Sequence, residues 1–216
     1  MTSIVCMSDT HTLQEKVPMP EGNFDIFIHA GDLGNVGKIR EYADIGKWFY
    51  SLKKQFKHRI IVPGNHDWGL MTNPQMIMED YFDEDVILLI DKAIELEGIK
   101  FYGCPWMPNF MDWAYMLEEN KLEPYYAAIP EDTQVLITHC PPLDILDKTT
   151  EKYGYARCGS VNLAKRIKQL SRLTHHIFGH IHHSYGSIVI DGVSYHNVSN
   201  LNEGYRYQNP PQVIEL

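Results

Sequence analysis

Arg59-Ile60-Ile61-Val62-Pro63-Gly64-Asn65-His66-Asp67 is an apolar run that stops on a turn and then sets an amide, an imidazole and a carboxylate side by side. The unbroken Ile and Val residues predict a buried strand, and Pro-Gly supplies the turn that ends it. An amide oxygen is a neutral, hard donor to a cation. An imidazole exchanges a proton near neutral pH, and a carboxylate beside it can orient it. In an open α/β sheet, chemistry collects at the carboxyl ends of the strands, which is where this triplet falls.

Four other apolar runs end in the same way. Ser3-Ile4-Val5-Cys6-Met7-Ser8 runs into Asp9-Thr10-His11, and Phe24 to Ala30 runs into Gly31-Asp32. Gln134 to Thr138 ends at His139, and His176-Ile177-Phe178 ends at Gly179-His180-Ile181-His182. Between them, apolar positions at helical spacing predict helices over 36–55, from Asn73-Pro74 to Tyr81, over 117–128, and from an N-cap at Ser160 to Leu170. Strands are expected at 86–90 and at 93–96 with 99–102, a hairpin turning at Glu97-Gly98. Further strands are expected at 186–190, 193–198 and 213–216. Strand ends of one α/β sheet converge, so five polar strand ends distant in sequence can line one pocket. The collected donors are Asp9, His11, Asp32, Asn65, His139, His180 and His182. Mixed oxygen and imidazole donors suit manganese, iron or zinc better than magnesium or calcium alone.

The totals narrow the setting. A chain of 216 residues without Gly/Ser/Pro-rich linkers is expected to form a single domain over 1–216. No apolar stretch reaches the length of a membrane span, and the N-terminus shows no basic segment followed by an apolar run. The four cysteines show no CxxC spacing, so reduced thiols and a cytoplasmic location are expected. A net charge of −9 argues against binding long nucleic acid, but not against a small phosphorylated substrate, because bound cations invert the local field.

The five blocks Asp9-x-His11, Gly31-Asp32, Gly64-Asn65-His66-Asp67, Thr138-His139 and Gly179-His180-x-His182 resemble those of the calcineurin-like metallophosphoesterases. His29-Ala30-Gly31-Asp32, Tyr102-Gly103-Cys104-Pro105-Trp106, Thr138-His139-Cys140-Pro141-Pro142 and Asn209-Pro210-Pro211 resemble the small single-domain phosphodiesterases within them. The resemblance runs from Ile4 to the C-terminus. It implies an α/β fold in which a two-sheet β-sandwich is flanked by helices. It also implies two divalent metal ions, manganese first and iron, zinc, nickel or magnesium as alternatives. One would be held by Asp9, His11, Asp32 and His182, the other by Asp32, Asn65, His139 and His180, with Asp32 shared. His66 would approach the substrate as a catalytic residue, with Asp67 orienting it. Many relatives carry a second Asp three residues after the shared one; here that position is Asn35, followed by Val36-Gly37, which speaks against the protein-phosphatase branch.

The resemblance further implies hydrolysis of a small, cyclic-nucleotide-like phosphodiester. Two cations would acidify a water between them and polarise the phosphoryl oxygens, and His66 would protonate the leaving oxygen. A phosphomonoesterase or nuclease is the alternative, and a silent scaffold a more distant one, since such a scaffold should have lost donors that are all present here. His29, His58, His175, His176, His183 and His196 are read as structural, as are Cys140 and Cys158. Trp106, Phe110 and Trp113, in a proline-broken stretch, either stack a base or cap the core.

Overall fold

In the computed structural model, which describes residues 1–154 and 156–216 with Tyr153 by its backbone alone, the chain begins β1 (Ser3–Met7), β2 (Phe24–His29), α1 (Ile39–Ser51) and β3 (Phe56–Ile61). It continues through α2 (Trp68–Thr72), α3 (Pro74–Tyr81), β4 (Val86–Leu88), β5 (Lys92–Leu96), β6 (Ile99–Cys104), β7 (Met107–Pro108) and β8 (Met116–Leu117). Then come α4 (Glu119–Ala127), β9 (Val135–Thr138), α5 (Val161–Ile167), β10 (His175–Phe178), β11 (Gly186–Ile190), β12 (Val193–Asn197) and β13 (Gln212–Glu215). The helix expected over 36–55 is confined to α1 and a 3-10 turn at Leu52–Lys54, and α2 was not expected. Ser160 caps α5 as read, accepting the Leu163 N–H at 3.1 Å.

Apart from β7 and β8, which pair with each other, the strands form two large mixed sheets. One has the order β13-β1-β2-β3-β4, parallel except for β13. The other has the order β11-β12-β10-β9-β6-β5, parallel except for its two edge strands. Side chains alternate across a strand, so each central strand feeds two cores. Ile4 and Cys6, Ile26 and Ile28, and Ile60 point between the sheets, where they meet Phe101, Val135, Ile137 and Ile177. Val5, Met7, Phe27 and Ile61 point the other way, onto Tyr42, Ile45, Trp48 and Phe49 of α1 and Ile77 of α3. Tyr102, Leu136 and Phe178 face Leu122 and Tyr126 of α4 and Leu163 and Ile167 of α5. This is why the strands read as unbroken apolar runs instead of alternating ones.

Arg59 follows the same alternation and is buried with the helices. Its guanidinium donates to both carboxylate oxygens of Asp83, at 2.9 and 2.6 Å, and to the Phe49 carbonyl at 2.7 Å. Removing one partner of a buried pair strands the other charge. Asp83→Ala is expected to lower unfolding stability by about 3 kcal/mol, read by urea titration. A loss below about 1 kcal/mol would mean that Asp85, at 3.7 Å, takes over the pairing.

Candidate metal centre

The two sheets meet at the carboxyl ends of their parallel strands. The Ser8 N–H donates to the Val198 carbonyl and the Asn200 N–H to Ser8, a bridge from β1 to the end of β12. The Gly179 N–H donates to His139, and the Asp9 N–H to Gly31. Asp9, His11, Asp32 and His180 leave their strands with φ of 55°, 43°, 56° and 69°. Left-handed backbone costs a non-glycine residue about 1–3 kcal/mol where it is disfavoured, and it persists only where its surroundings fix it. At Gly64 a Cβ would stand 2.2 Å from Asp32 Oδ1, and at Gly179 one would stand 2.3 Å from Asp9 Oδ2. Both turns approach a carboxylate too closely for any side chain.

This edge gathers the residues read from sequence. Asp32 Oδ2 lies 3.3 Å from His139 Nε2, 3.7 Å from His11 Nε2 and 3.9 Å from His66 Nε2. Asp9 Oδ1 lies 3.2 Å from His182 Nε2 and 4.0 Å from His139 Nε2, and Asn65 Oδ1 lies 3.1 Å from His139 Nε2. Among the described residues three Asp/His groupings result: Asp9, His11 and His182; Asp9, Asp32 and His139; and His11, Asp32 and His66. His180 stands outside them, its ring 5.1 Å from that of His139. His66 shares one, although the sequence reading kept it apart from the donors.

The donors fit a cation. His139 Nδ1 donates to the Ala30 carbonyl at 2.8 Å and His182 Nδ1 to Asn202 at 3.0 Å. A carbonyl only accepts, so each ring carries its proton on Nδ1 and turns Nε2 inward, the arrangement that outer hydrogen bonds impose on metal-binding histidines. At His139 that inward lone pair faces an amide oxygen and a carboxylate, so a proton or a metal ion must lie between them. Both ring nitrogens of His11 are buried without a hydrogen-bond partner, a deficit that a cation at Nε2 or Nδ1 removes.

Electrostatics agree. Burial opposes charge on Asp9 and Asp32, but the surrounding imidazoles outweigh it and hold both carboxyls well below their ordinary range. Burial would lower His139, yet Asp32 and Asp9 raise it to about 9. Burial holds His11 down to about 4 and His180 to about 3, so both are neutral donors at pH 7. Asp9 Oδ2 is occupied by Ser8 Oγ at 2.5 Å, Ser199 Oγ at 2.8 Å and the His180 N–H at 3.0 Å, which leaves Oδ1 to face the rings. Ser199 was missed in the sequence, although β12 runs into the polar residues Ser199 and Asn200 as the five other strands run into theirs.

Asp67 does not orient His66. Its buried carboxylate accepts the main-chain N–H groups of Asp32 (2.9 Å), Leu33 (3.1 Å), Gly34 (3.1 Å) and Gly64 (2.8 Å). The His66 ring instead donates from Nδ1 to the Asn35 carbonyl at 2.5 Å. The adjacency of His66 and Asp67 in sequence concealed this, because the turn sends their side chains to different partners.

The centre opens into a cleft of about 540 Å³. Trp113 lies against His66 with ring centroids 4.2 Å apart, Phe110 against His180 at 5.6 Å, and Tyr205 against His11 at 4.7 Å. Tyr205 was not singled out in the sequence. Trp106 is elsewhere: it packs on Tyr125 at 4.3 Å and donates to Asp91. Cys140 is buried and Cys158 lines the cleft, and neither is paired. Of the remaining histidines, His29 bonds Thr10, His176 bonds Thr138, His58 meets Glu97, His175 and His196 stack, and His183 is exposed.

Residues 2–184 match the family described as calcineurin-like phosphoesterase. Human metallophosphoesterase domain-containing protein 1 is 33% identical over the whole chain and 71% of its own length. A Caenorhabditis elegans protein of the UPF0046 group is 31% identical over 99% of the chain and 74% of its own length. Among solved structures, phosphopantetheinyl hydrolase from Mycobacterium tuberculosis superposes with a TM-score of 0.60 over 94% of this chain and 90% of its own, at 14% identity, a likeness of fold.

If the close approach at Gly179 is what seats Asp9, Gly179→Ala should reduce divalent metal bound after chelation and reloading by more than about half while the fold persists. Elemental analysis beside circular dichroism checks this, and full metal occupancy would refute it.

Proposed function

The chain belongs to the calcineurin-like phosphoesterases, a family of metal-dependent hydrolases, and on that premise we propose that it is a phosphodiesterase acting on a small phosphodiester. Asp9, His11, Asp32 and His182 would hold one divalent cation, and Asp32, Asn65, His139 and His180 a second, manganese first. Cations there supply Lewis acidity toward phosphoryl oxygens and an acidified water as nucleophile. His66 would supply a proton from Nε2 of its doubly protonated ring to the leaving oxygen and be left neutral: its Nδ1–H is held by the Asn35 carbonyl, and its Nε2 lies beside Asp32 Oδ2 at the cleft.

One observation carries the preference for a diester. Among the described residues lining the cleft, Arg157 is the one Lys or Arg, and it is paired with Asp147 at 2.7 Å. A phosphomonoester brings a second negative charge that this wall leaves unanswered, whereas a diester brings one. The faces of Trp113, Phe110 and Tyr205 around the centre support a substrate with a base to stack, worth about 1–3 kcal/mol per base. A 2′,3′- or 3′,5′-cyclic nucleotide is the first choice. No helix of the described residues is long and apolar enough to cross a membrane, and the unpaired cysteines suit a cytoplasmic setting.

Protein stripped with chelator and reloaded should bind two Mn²⁺ per chain by elemental analysis and hydrolyse bis-nitrophenyl phosphate faster than nitrophenyl phosphate. Preference for the monoester would overturn the diester reading, and no hydrolysis with metal bound would overturn the enzymatic one. Asp32→Ala should lose both ions together; a retained pair would show that Asp32 is not shared. His66→Ala should keep its metals but lower kcat on a cyclic nucleotide by about 10²–10⁴-fold, and loss of the metals would make His66 a ligand.

A further inference from the structure

We infer that Glu41 is a positioning residue for His66, acting through the main-chain carbonyl of Asn35; the inference rests on the proton-donor reading of His66. Five successive amides of the loop after β2 are accepted by two carboxylates. Asp67 takes those of Asp32, Leu33 and Gly34, and Glu41 Oε2 takes those of Asn35 at 3.1 Å and Val36 at 3.2 Å. With its N–H fixed in this way, Asn35 presents its carbonyl to His66 Nδ1.

The loop has little freedom to slide while Glu41 is in place. A Cβ on Gly34 would stand 2.6 Å from Glu41 Oε2, and one on Gly37 would stand 2.3 Å from the Trp68 nitrogen and 2.8 Å from the His66 oxygen. Glu41 itself lies in the first turn of α1, so its carboxylate is carried by a helix packed into the core. Asn35 and Val36 are exposed, and the other side-chain tether on Asn35 is its Nδ2, which donates to Thr12 Oγ1 at 2.9 Å. Removing the Glu41 carboxylate frees the amides of Asn35 and Val36 and releases the carbonyl that fixes the His66 ring. The ring then loses the acceptor that holds its Nδ1–H, and with it the aim of the Nε2 proton at the cleft.

A proton donor matters for a poor leaving group and hardly at all for nitrophenolate, which departs unprotonated. That difference separates positioning of His66 from general damage. Manganese-loaded wild type, Glu41→Ala, Glu41→Gln and His66→Ala would be compared on bis-nitrophenyl phosphate and on a 2′,3′-cyclic nucleotide, with metal content measured and the His66 ring nitrogens followed by ¹⁵N NMR in the chelated proteins. Glu41→Ala should keep its metals and its nitrophenyl ester turnover within about threefold, while kcat on the cyclic nucleotide falls about 10²-fold, the scale of a misplaced reacting group. Its His66 Nδ1 resonance should move toward a mixture of tautomers. Glu41→Gln, which keeps an accepting oxygen, should recover most of the cyclic nucleotide rate.

If His66→Ala discriminates between the esters and Glu41→Ala does not, the inference fails and the proton-donor reading stands. If His66→Ala lowers both esters equally, that reading fails and takes the inference with it. Should Glu41→Ala lose its metals, an unchanged His66 resonance in the chelated proteins overturns the inference, and a shifted one upholds it.

Discussion

The centre depends on one buried carboxylate. Asp67 accepts four main-chain N–H groups, three from the loop that carries Asp32 and one from the turn that carries Asn65. Two strand ends are thereby tied to each other by a group that belongs to neither loop's own ladder. All four partners are donors, so they are satisfied only by the ionised form. Burial, with the charge of Asp32 behind it, nevertheless pushes Asp67 up to about 7. A cation at Asp32 cancels that second push, so binding metal and keeping the cradle charged favour each other.

The rest of the fold supplies rigidity to that cradle. Strands buried on both faces cannot slip by one residue without turning one apolar core toward the other, so their register is fixed by packing on two sides. Their ends therefore fall at fixed places, and the turns that follow can hold left-handed residues at Asp9, His11, Asp32 and His180. Irregular backbone at the site is sustained by regular backbone beneath it.

The sequence disclosed what periodicity and strand-end position can disclose. The central strands, the Ser160 cap and the convergence of Asp9, His11, Asp32, Asn65, His139 and His182 were all legible, because each depends on side-chain type at a spacing. The role of Asp67 was not, since proximity in sequence suggested His66 as its partner while the turn gave it amides. Asn35 was legible only as a departure, because what it contributes is a carbonyl that every residue has. Tyr205 and Ser199 come from the segment between β12 and β13, which carries no histidine or aspartate to mark it.

A site with two ionised carboxylates, on a chain of net charge −9, repels the phosphate it is proposed to bind. The cleft's Arg157 does not offset this, being committed to Asp147. On the proposed function the attraction for substrate would come from the cations, which the two carboxylates gather. The carboxylates of Asp9 and Asp32, buried at the floor of the cleft, would make the pocket cationic once metal is held. The proposed selectivity for a small, singly charged ester over a polyanion would follow from that division, with cations held at the floor of the cleft and the rings of Trp113, Phe110 and Tyr205 around it.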